Sequence, residues 1–245
     1  MRGEMAAKEL DLFVNEIQEL LRVGDSFAAM EHIQRQGTPL EVAARYQSLV
    51  SNLYWKAHDL PAVVVIGRAG IIYCLGQSMA AGVSCESVEK LRSVAKGLAY
   101  DVGSFTWPGW EEPGINPTPE ELAVGRDCAR LNLRLAIELK KPPDRLSMAH
   151  WLIGAHALVS RDFELAEKEF QRAQDVLPTS DAAAMAMVFS NMGYLAVTRL
   201  CRNPSDSVAQ ARFDEIIAQL SAQKNKDADA YLSQLLSARR LFVPT

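Results

Sequence analysis

Several features that identify whole classes of protein are missing from this chain. It has fewer basic than acidic residues, 26 Lys and Arg against 30 Asp and Glu, so it lacks the positive excess that neutralises nucleic-acid phosphates. No CxxC pair occurs among its four cysteines, which excludes zinc-knuckle and thioredoxin-like motifs. We therefore expect a cytoplasmic protein with reduced cysteines and no nucleic-acid partner.

Signals for export or membrane insertion are also missing. The first residues are charged where a signal peptide needs its apolar segment, which predicts an uncleaved start. Residues 60–83 are apolar, but Arg68 lies near their middle, and a central Arg disfavours a membrane span by about 2.5 kcal/mol or more. We expect a buried helix in this stretch and no membrane partner.

The chain contains no motif for metal or nucleotide chemistry: HExxH, GxxxxGK and GxGxxG do not occur. Of the four histidines, His150 and His156 come closest to a pair. They are six positions apart, which places them on different faces of a helix, whereas a helical metal pair needs three or four. We expect no metal, no cofactor and no enzymatic activity.

One pattern supports an alternative function. Residues 76–80 read G-x-S-x-A and follow runs of β-branched residues, an order similar to the nucleophile elbow of α/β hydrolases. Ser78 would then be the nucleophile, with His150 or His156 as its base. This alternative requires alternating strands and helices.

Helical periodicity dominates the sequence and predicts eleven helices and no strand. Predicted starts include Ser84, Thr118, Asp144 and the capping run 179–181. The predicted helices cover residues 4–22, 27–36, 39–57, the apolar stretch from 60, 85–102, 119–140, 144–160, 163–177, 180–201, 206–221 and 227–241.

Residues 149–178 resemble a tetratricopeptide repeat, a pair of antiparallel helices. Gly154 precedes Ala166 by twelve positions, Phe170 and Ala173 follow with the family's spacing, and Pro178 ends the second helix. Small Gly and Ala residues let two helix backbones approach, and a large apolar residue between them fills the groove to the next pair. The unit departs from the family pattern at two positions. It has His150 where the family favours Trp, and Ala157 where the family favours Tyr.

Weaker copies of the second-helix spacing extend the resemblance over about residues 4–221. They are Ala29–Ile33–Gln36, Ala62–Ile66–Ala69, Ala129–Leu133–Ala136 and Ala209–Phe213–Ile216. The resemblance implies an all-α fold, a right-handed α–α superhelix of about five antiparallel helix pairs with a C-terminal capping helix. We expect one domain over residues 1–245. An irregular helical bundle is the alternative.

The resemblance also implies a non-catalytic scaffold that binds a protein or peptide along the concave face of the solenoid. The family's carboxylate clamp is incomplete in this chain. A regulatory domain for a small ligand remains an alternative, and a homodimer remains open. Helix faces suggest these candidates for the concave surface: Tyr46, Asn52, Arg92, Lys96, Tyr100, His150, His156, Asn191 and Tyr194.

Residues 103–119 are predicted to form a loop insertion rich in Pro, Gly and Trp. Structureless loops of this length often carry function, and tryptophan is a favoured binding anchor, which makes Trp107 and Trp110 binding candidates. Both rings could instead fold back and fill a gap between helix pairs, because exposed paired tryptophans are unfavourable in a soluble protein. The sequence leaves both interpretations open.

Overall fold

The computed structural model describes residues 2–178 and 184–244. Within this part of the chain there are eleven α-helices and no β-strand, which confirms the predicted all-α class. The predicted capping run 179–181 lies outside the described residues. The helices are α1 (Arg2–Arg22), α2 (Ser26–Gln34), α3 (Pro39–Trp55), α4 (Leu60–Ser78), α5 (Cys85–Phe105), α6 (Pro119–Glu138), α7 (Pro143–Val159), α8 (Phe163–Asp175), α9 (Met185–Arg202), α10 (Ser207–Gln223) and α11 (Lys226–Phe242).

Hydrogen bonds at the helix starts confirm several predicted caps. The Ser84 Oγ accepts a hydrogen bond from the Ser87 N–H at 3.2 Å and so caps α5. Before α6, the Thr118 Oγ1 accepts from the Glu121 N–H at 3.2 Å, and the Glu121 carboxylate accepts from the Thr118 N–H at 2.8 Å. This reciprocal pair satisfies two backbone donors that the helix itself leaves unpaired.

The predicted cap of α7 is wrong. The helix begins at Pro143 with Pro142 as its N-cap, and Asp144 lies inside the first turn. Proline suits the first helical position because its missing N–H would be unpaired there in any case. Asp144 still favours the helix start, since its carboxylate meets the positive end of the helix dipole.

Helix α5 extends beyond its predicted end at residue 102. It passes through Gly103 and ends at Phe105, so the irregular segment begins at Thr106 and is shorter than the predicted 103–119 loop. The Phe105 ring stacks on Tyr54 with 3.8 Å between the ring centroids, and this contact stabilises the additional turn. Within the segment, Pro108–Trp110 forms a single 3-10 turn.

The chain separates into two compact units. The first consists of residues up to 106 together with 114–135, and the second consists of residues 107–113 together with those from 136 onward. The expectation of one domain stays a prediction.

In the first unit, α4 packs against both α3 and α5. Glycine makes this close packing possible: a Cβ on Gly70 would lie 2.8 Å from Cγ of Tyr46 and 2.9 Å from Cδ1 of Leu98. Gly67 allows the same close approach, because a Cβ there would lie only 2.2 Å from Cγ2 of Val102. The apolar composition of α4 therefore matches a helix with neighbours on two sides.

Among the described residues, Leu60–Ser78 is the helix that is long and apolar enough to cross a membrane, by length and composition alone. Its most apolar window has a mean hydropathy of 1.5 and is 44% buried. A core helix meets the same criterion, and the packing of α4 on α3 and α5 supports that interpretation.

In the second unit, α8 packs on α7 and α9, and α9 packs on α10 and α11. The approach predicted at Gly154 is confirmed, because a Cβ there would lie 2.8 Å from Cδ1 of Phe170. Ala166 and Ala173 are fully buried on either side of Phe170. Gly193 of α9 allows a close approach in the same way, because a Cβ there would lie 2.5 Å from Cδ1 of Leu235.

Candidate functional site

The candidates in the first unit lie mostly in or near its core. Tyr46 is fully buried, and its hydroxyl accepts a hydrogen bond from Nε2 of Gln34 at 2.8 Å. Asn52 is half-buried and donates to the carbonyl of Ser48, one turn earlier in α3, at 2.8 Å. A partner could reach Tyr46 only after a rearrangement of the unit.

Helix α5 brings the other three candidates of this unit together. Arg92 and Tyr100 are half-buried, and the Nζ of the buried Lys96 lies 5.8 Å from the centroid of the Tyr100 ring. Burial raises the pKa of the neighbouring Asp101 to about 6, although the positive charge of Lys96 acts to lower it. Nothing in the residues around Asp101 singles it out, because its burial depends on tertiary packing.

In the second unit, the tryptophan segment (residues 107–113) is folded into an aromatic cluster. Trp107 is 1% exposed, whereas Trp110 is 39% exposed at the edge of the same cluster. The Trp107 ring lies 5.3 Å from Trp110, 5.3 Å from Trp151 and 6.2 Å from Tyr194, measured between centroids. Trp107 therefore fills the interior of this unit, as the second interpretation of the loop predicted for it.

Polar contacts hold the tryptophan segment against α11. The Ser237 hydroxyl bonds to the Gly109 carbonyl at 2.8 Å and also to the Glu111 carboxylate, which in turn accepts from Arg240. These hydrogen bonds lower the pKa of Glu111. A Cβ on Gly109 would lie 2.2 Å from the Trp107 ring, so glycine is the residue that fits beneath this indole.

The two histidine candidates occupy different surroundings. The Nδ1 of His150 lies 2.7 Å from Oε2 of Glu169, and the other carboxylate oxygen accepts from Arg172 at 2.7 Å. Burial opposes ionisation of Glu169, but these two partners prevail and its pKa is lowered. His156 is 2% exposed. Both histidines therefore belong to the packing of α7 and α8.

Helix α9 buries both of its candidates. Asn191 is 1% exposed and donates to the Ser147 hydroxyl at 3.1 Å. Tyr194 is fully buried, with its ring stacked on Phe170 at 4.9 Å. The structure thus brings Trp107, Trp110 and Tyr194 together in one aromatic cluster, with Trp107 and Tyr194 in the core of the unit and Trp110 at its edge.

The hydrolase pattern lacks its structural setting. Ser78 is the last residue of the continuous helix α4, and its hydroxyl donates to the Leu75 carbonyl at 2.7 Å. A nucleophile elbow needs a strand before the serine, and residues 60–78 are helical.

In the described part of the chain, the buried cysteines are poorly placed for reactivity, and no cluster of metal ligands is present. Burial raises the pKa of the Cys74 and Cys128 thiols to about 12 and that of Cys201 to about 11, which disfavours reactive thiolates. Cys85 is exposed. Across residues 2–178 and 184–244, no three His, Cys, Asp or Glu side chains are grouped so that they could hold a metal ion.

Open grooves remain as candidate sites. In the first unit, one groove of about 160 Å³ lies between α4 and α6, and another of about 400 Å³ lies beside the turn between α1 and α2. Each has one basic and one acidic lining residue, Arg68 with Asp127 in the first and Arg22 with Asp59 in the second. Their charges are therefore balanced.

The second unit carries a groove of about 410 Å³ on α8, α9 and α10, which we call the α8–α10 groove. It is lined by Gln171, Gln174, Met192, Leu195, Ala196, Arg199, Val208, Ala209 and Arg212. The floor is apolar, whereas the polar lining consists of two amides and two guanidinium groups. A concave apolar surface with a few polar groups at its edge is the usual form of a binding site.

Sequence reasoning missed this groove. Val208 is 74% exposed although it is apolar, and an outward-facing Val in the first turn of a helix was the one available signal. The other lining residues lie on three separate helices, and nothing in their spacing indicates that the helices meet.

Comparisons with family models and with curated proteins identify no relative of this chain. No family model matches the chain, and no curated protein is significantly similar to it. The tetratricopeptide resemblance therefore depends on the residues quoted for it.

Proposed function

We propose that this chain is a non-catalytic module that binds a segment of another protein. The observation that carries the proposal is the α8–α10 groove, an open surface with an apolar floor and hydrogen-bonding groups at its edge. Its volume of about 410 Å³ falls within the range of about 300–1,000 Å³ usual for ligand sites.

The contacts of the chemically active residue types support a binding role. Ser78 bonds to its own helix, and His150 and Arg172 share the Glu169 carboxylate. Each of these groups has a structural partner. The groove presents amide and guanidinium groups at an open surface, where they pair with carboxylates that are exposed or half-buried.

The proposal includes a repeat architecture. In it, the helices form about five tetratricopeptide-like pairs in a right-handed superhelix, with α11 as the cap. The support is the order of packing in the second unit and the glycine contacts at Gly154 and Gly193. In this arrangement α8 and α10 are second helices of their pairs, so the groove differs from the concave face that the resemblance implies.

The test is a selection of peptides from a randomised display library on the folded full-length chain. Val208→Asp changes an exposed side chain in the groove at a helix start where an acidic residue is tolerated. Val23→Asp changes a comparably exposed Val, 63% against 74%, in the other unit and is the matched control.

We expect the selected peptides to share a sequence pattern. Synthetic versions should bind the parent protein and Val23→Asp equally, and Val208→Asp at least roughly tenfold more weakly, a difference of about 1.4 kcal/mol. Selection of peptides with no common pattern, or equal binding to both variants, would overturn the proposed function at this groove.

A further inference from the structure

The charged lining of the α8–α10 groove has one sign. Among the described residues that line it, the two charged side chains, Arg199 and Arg212, are basic and none is acidic. This differs from the balanced grooves of the first unit. In a protein with a formal net charge of -4, such a site selects its ligand partly by charge.

Carboxylates beside the groove already partner its polar groups, and one of them, Asp175, accepts a hydrogen bond from Nε2 of Gln171 at 2.7 Å. Glu167 lies 3.3 Å from Nε of Arg199 and 3.2 Å from Nη1 of Arg202, so two guanidinium groups share one carboxylate. Arg212 pairs with Glu215 one turn away, and both side chains are largely exposed, 40% and 52%. Exposed ion pairs of this kind are weak, so a ligand carboxylate can replace Glu215 at little expense in free energy.

We propose that the α8–α10 groove binds an acidic peptide segment in which an apolar side chain is flanked by carboxylates. The apolar side chain packs against Met192, Leu195 and the exposed Val208, and the carboxylates reach Arg199 and Arg212. This inference rests on the proposed peptide-binding function and adds the chemistry of the ligand.

The apolar floor and the amides favour a peptide over other anions. A nucleic acid would present phosphates at regular intervals and would need a longer basic surface, whereas this groove has two basic lining residues. The amides of Gln171 and Gln174 supply both donors and acceptors, which matches the alternating C=O and N–H groups of a peptide backbone.

The probes are three fluorescent peptide pools with leucine or phenylalanine at the centre. The flanking positions carry Glu in the first pool, Gln in the second and Lys in the third. Both ends are blocked, so only side-chain carboxylates are present. Anisotropy titrations of the full-length protein at two salt concentrations measure each affinity, with a single-stranded oligonucleotide as a fourth probe.

Two variants of Arg212 and one control test the assignment. Arg212→Gln removes a groove charge and Arg212→Glu reverses it. Arg130→Gln removes the arginine of a comparable exposed pair with Asp127, also three residues apart but in the other unit. Circular dichroism shows whether each variant keeps its helicity.

We expect the Glu pool to bind at least roughly tenfold more tightly than the Gln pool, and its affinity to fall as salt screens the charges. Arg212→Gln should weaken the Glu pool roughly threefold to tenfold. Arg212→Glu should shift preference toward the Lys pool, whereas Arg130→Gln should leave all affinities unchanged.

Other outcomes separate the two proposals. Equal binding of the Glu and Gln pools, or oligonucleotide binding as tight as that of the Glu pool, overturns the acidic-peptide inference. If a library peptide binds the groove while the Glu pool does not, the inference fails and the proposed function stands. If no peptide of any kind binds, both fail.

Discussion

The tryptophan segment and the α8–α10 groove belong to the same unit but use their apolar residues in opposite ways. In the segment, Trp107 is 1% exposed and meets four other aromatic rings within 6.2 Å, measured between centroids. In the groove, Val208 is 74% exposed. The segment drew attention in the sequence because it is rich in Trp, Pro and Gly, yet it buries its principal anchor.

Composition alone therefore does not distinguish a binding loop from a loop that fills a core. Both need large apolar side chains on an irregular backbone, and the surrounding helices decide which one forms. Here Ser237 and Arg240 hold the segment on α11, whereas the described residues of the groove form an open surface. We therefore expect substitutions in the segment to change stability and substitutions in the groove to change binding.

The largest effect is expected for Trp107→Ala. Loss of a fully buried aromatic side chain lowers the free energy of unfolding by about 3–5 kcal/mol. Trp110→Ala is the matched control, because this ring is 39% exposed, and it should lose less than half as much. Urea denaturation measures both, and equal losses would show that Trp107 is not the internal anchor of the cluster.

Gly109→Ala should come next, with a loss of about 1–3 kcal/mol. The added Cβ would lie 2.2 Å from the buried Trp107 ring, so the ring or the segment beneath it must shift. Gly76→Ala is the control, since nothing lies within 4 Å of a Cβ at this helical position, and it should raise stability by up to about 1 kcal/mol. A neutral result at both positions in thermal melts would contradict the packing described for the segment.

A smaller, pH-dependent effect is expected for Glu111→Gln. Because the pKa of Glu111 is lowered in the folded state, its stabilising contribution is complete above the unfolded pKa near 4.5 and is lost as the pH falls through the lowered value. The variant should be less stable than the parent at pH 7, and the two should converge in acid. Unfolding measured across pH compares the two proteins, and a difference in stability that stays constant into acid would contradict this role of Glu111.

The smallest effect on stability is expected in the groove. Arg212→Gln and Val208→Asp change exposed side chains, so each should alter the free energy of unfolding by no more than about 0.5 kcal/mol. Denaturant curves that overlay the parent, together with weaker peptide binding, would complete the contrast with Trp107→Ala. A loss of several kcal/mol would instead show that these side chains have a structural role.

The sequence predicted the helices because their periodicity and caps are local properties. Ser84 and Thr118 begin helices where expected, because each cap depends only on a residue three positions later. The extension of α5 to Phe105 was missed because it depends on Tyr54, which lies about fifty positions earlier. The start of α7 was missed because the first-turn preference of Pro143 prevailed over the capping preference of Asp144.

The candidate sites were harder to predict for the same reason. Helix faces identified Tyr46, Asn191 and Tyr194 as polar or aromatic positions, but whether such a face meets another helix or solvent depends on the packing, and all three are buried. The α8–α10 groove needs Arg199 and Arg212 to come together from separate helices. Nothing in the sequence around either residue indicates this meeting.

The bond between Ser237 and the Gly109 carbonyl joins positions 128 residues apart. During synthesis, the tryptophan segment leaves the ribosome well before α11, so Trp107 must wait for more than a hundred further residues before its partners are complete. At about 5–20 residues per second, this delay is on the order of ten seconds. Until α11 is complete, the tryptophan segment lacks the hydrogen bonds from Ser237 and Arg240, so we expect the second unit to finish folding only after its last helix has been synthesised.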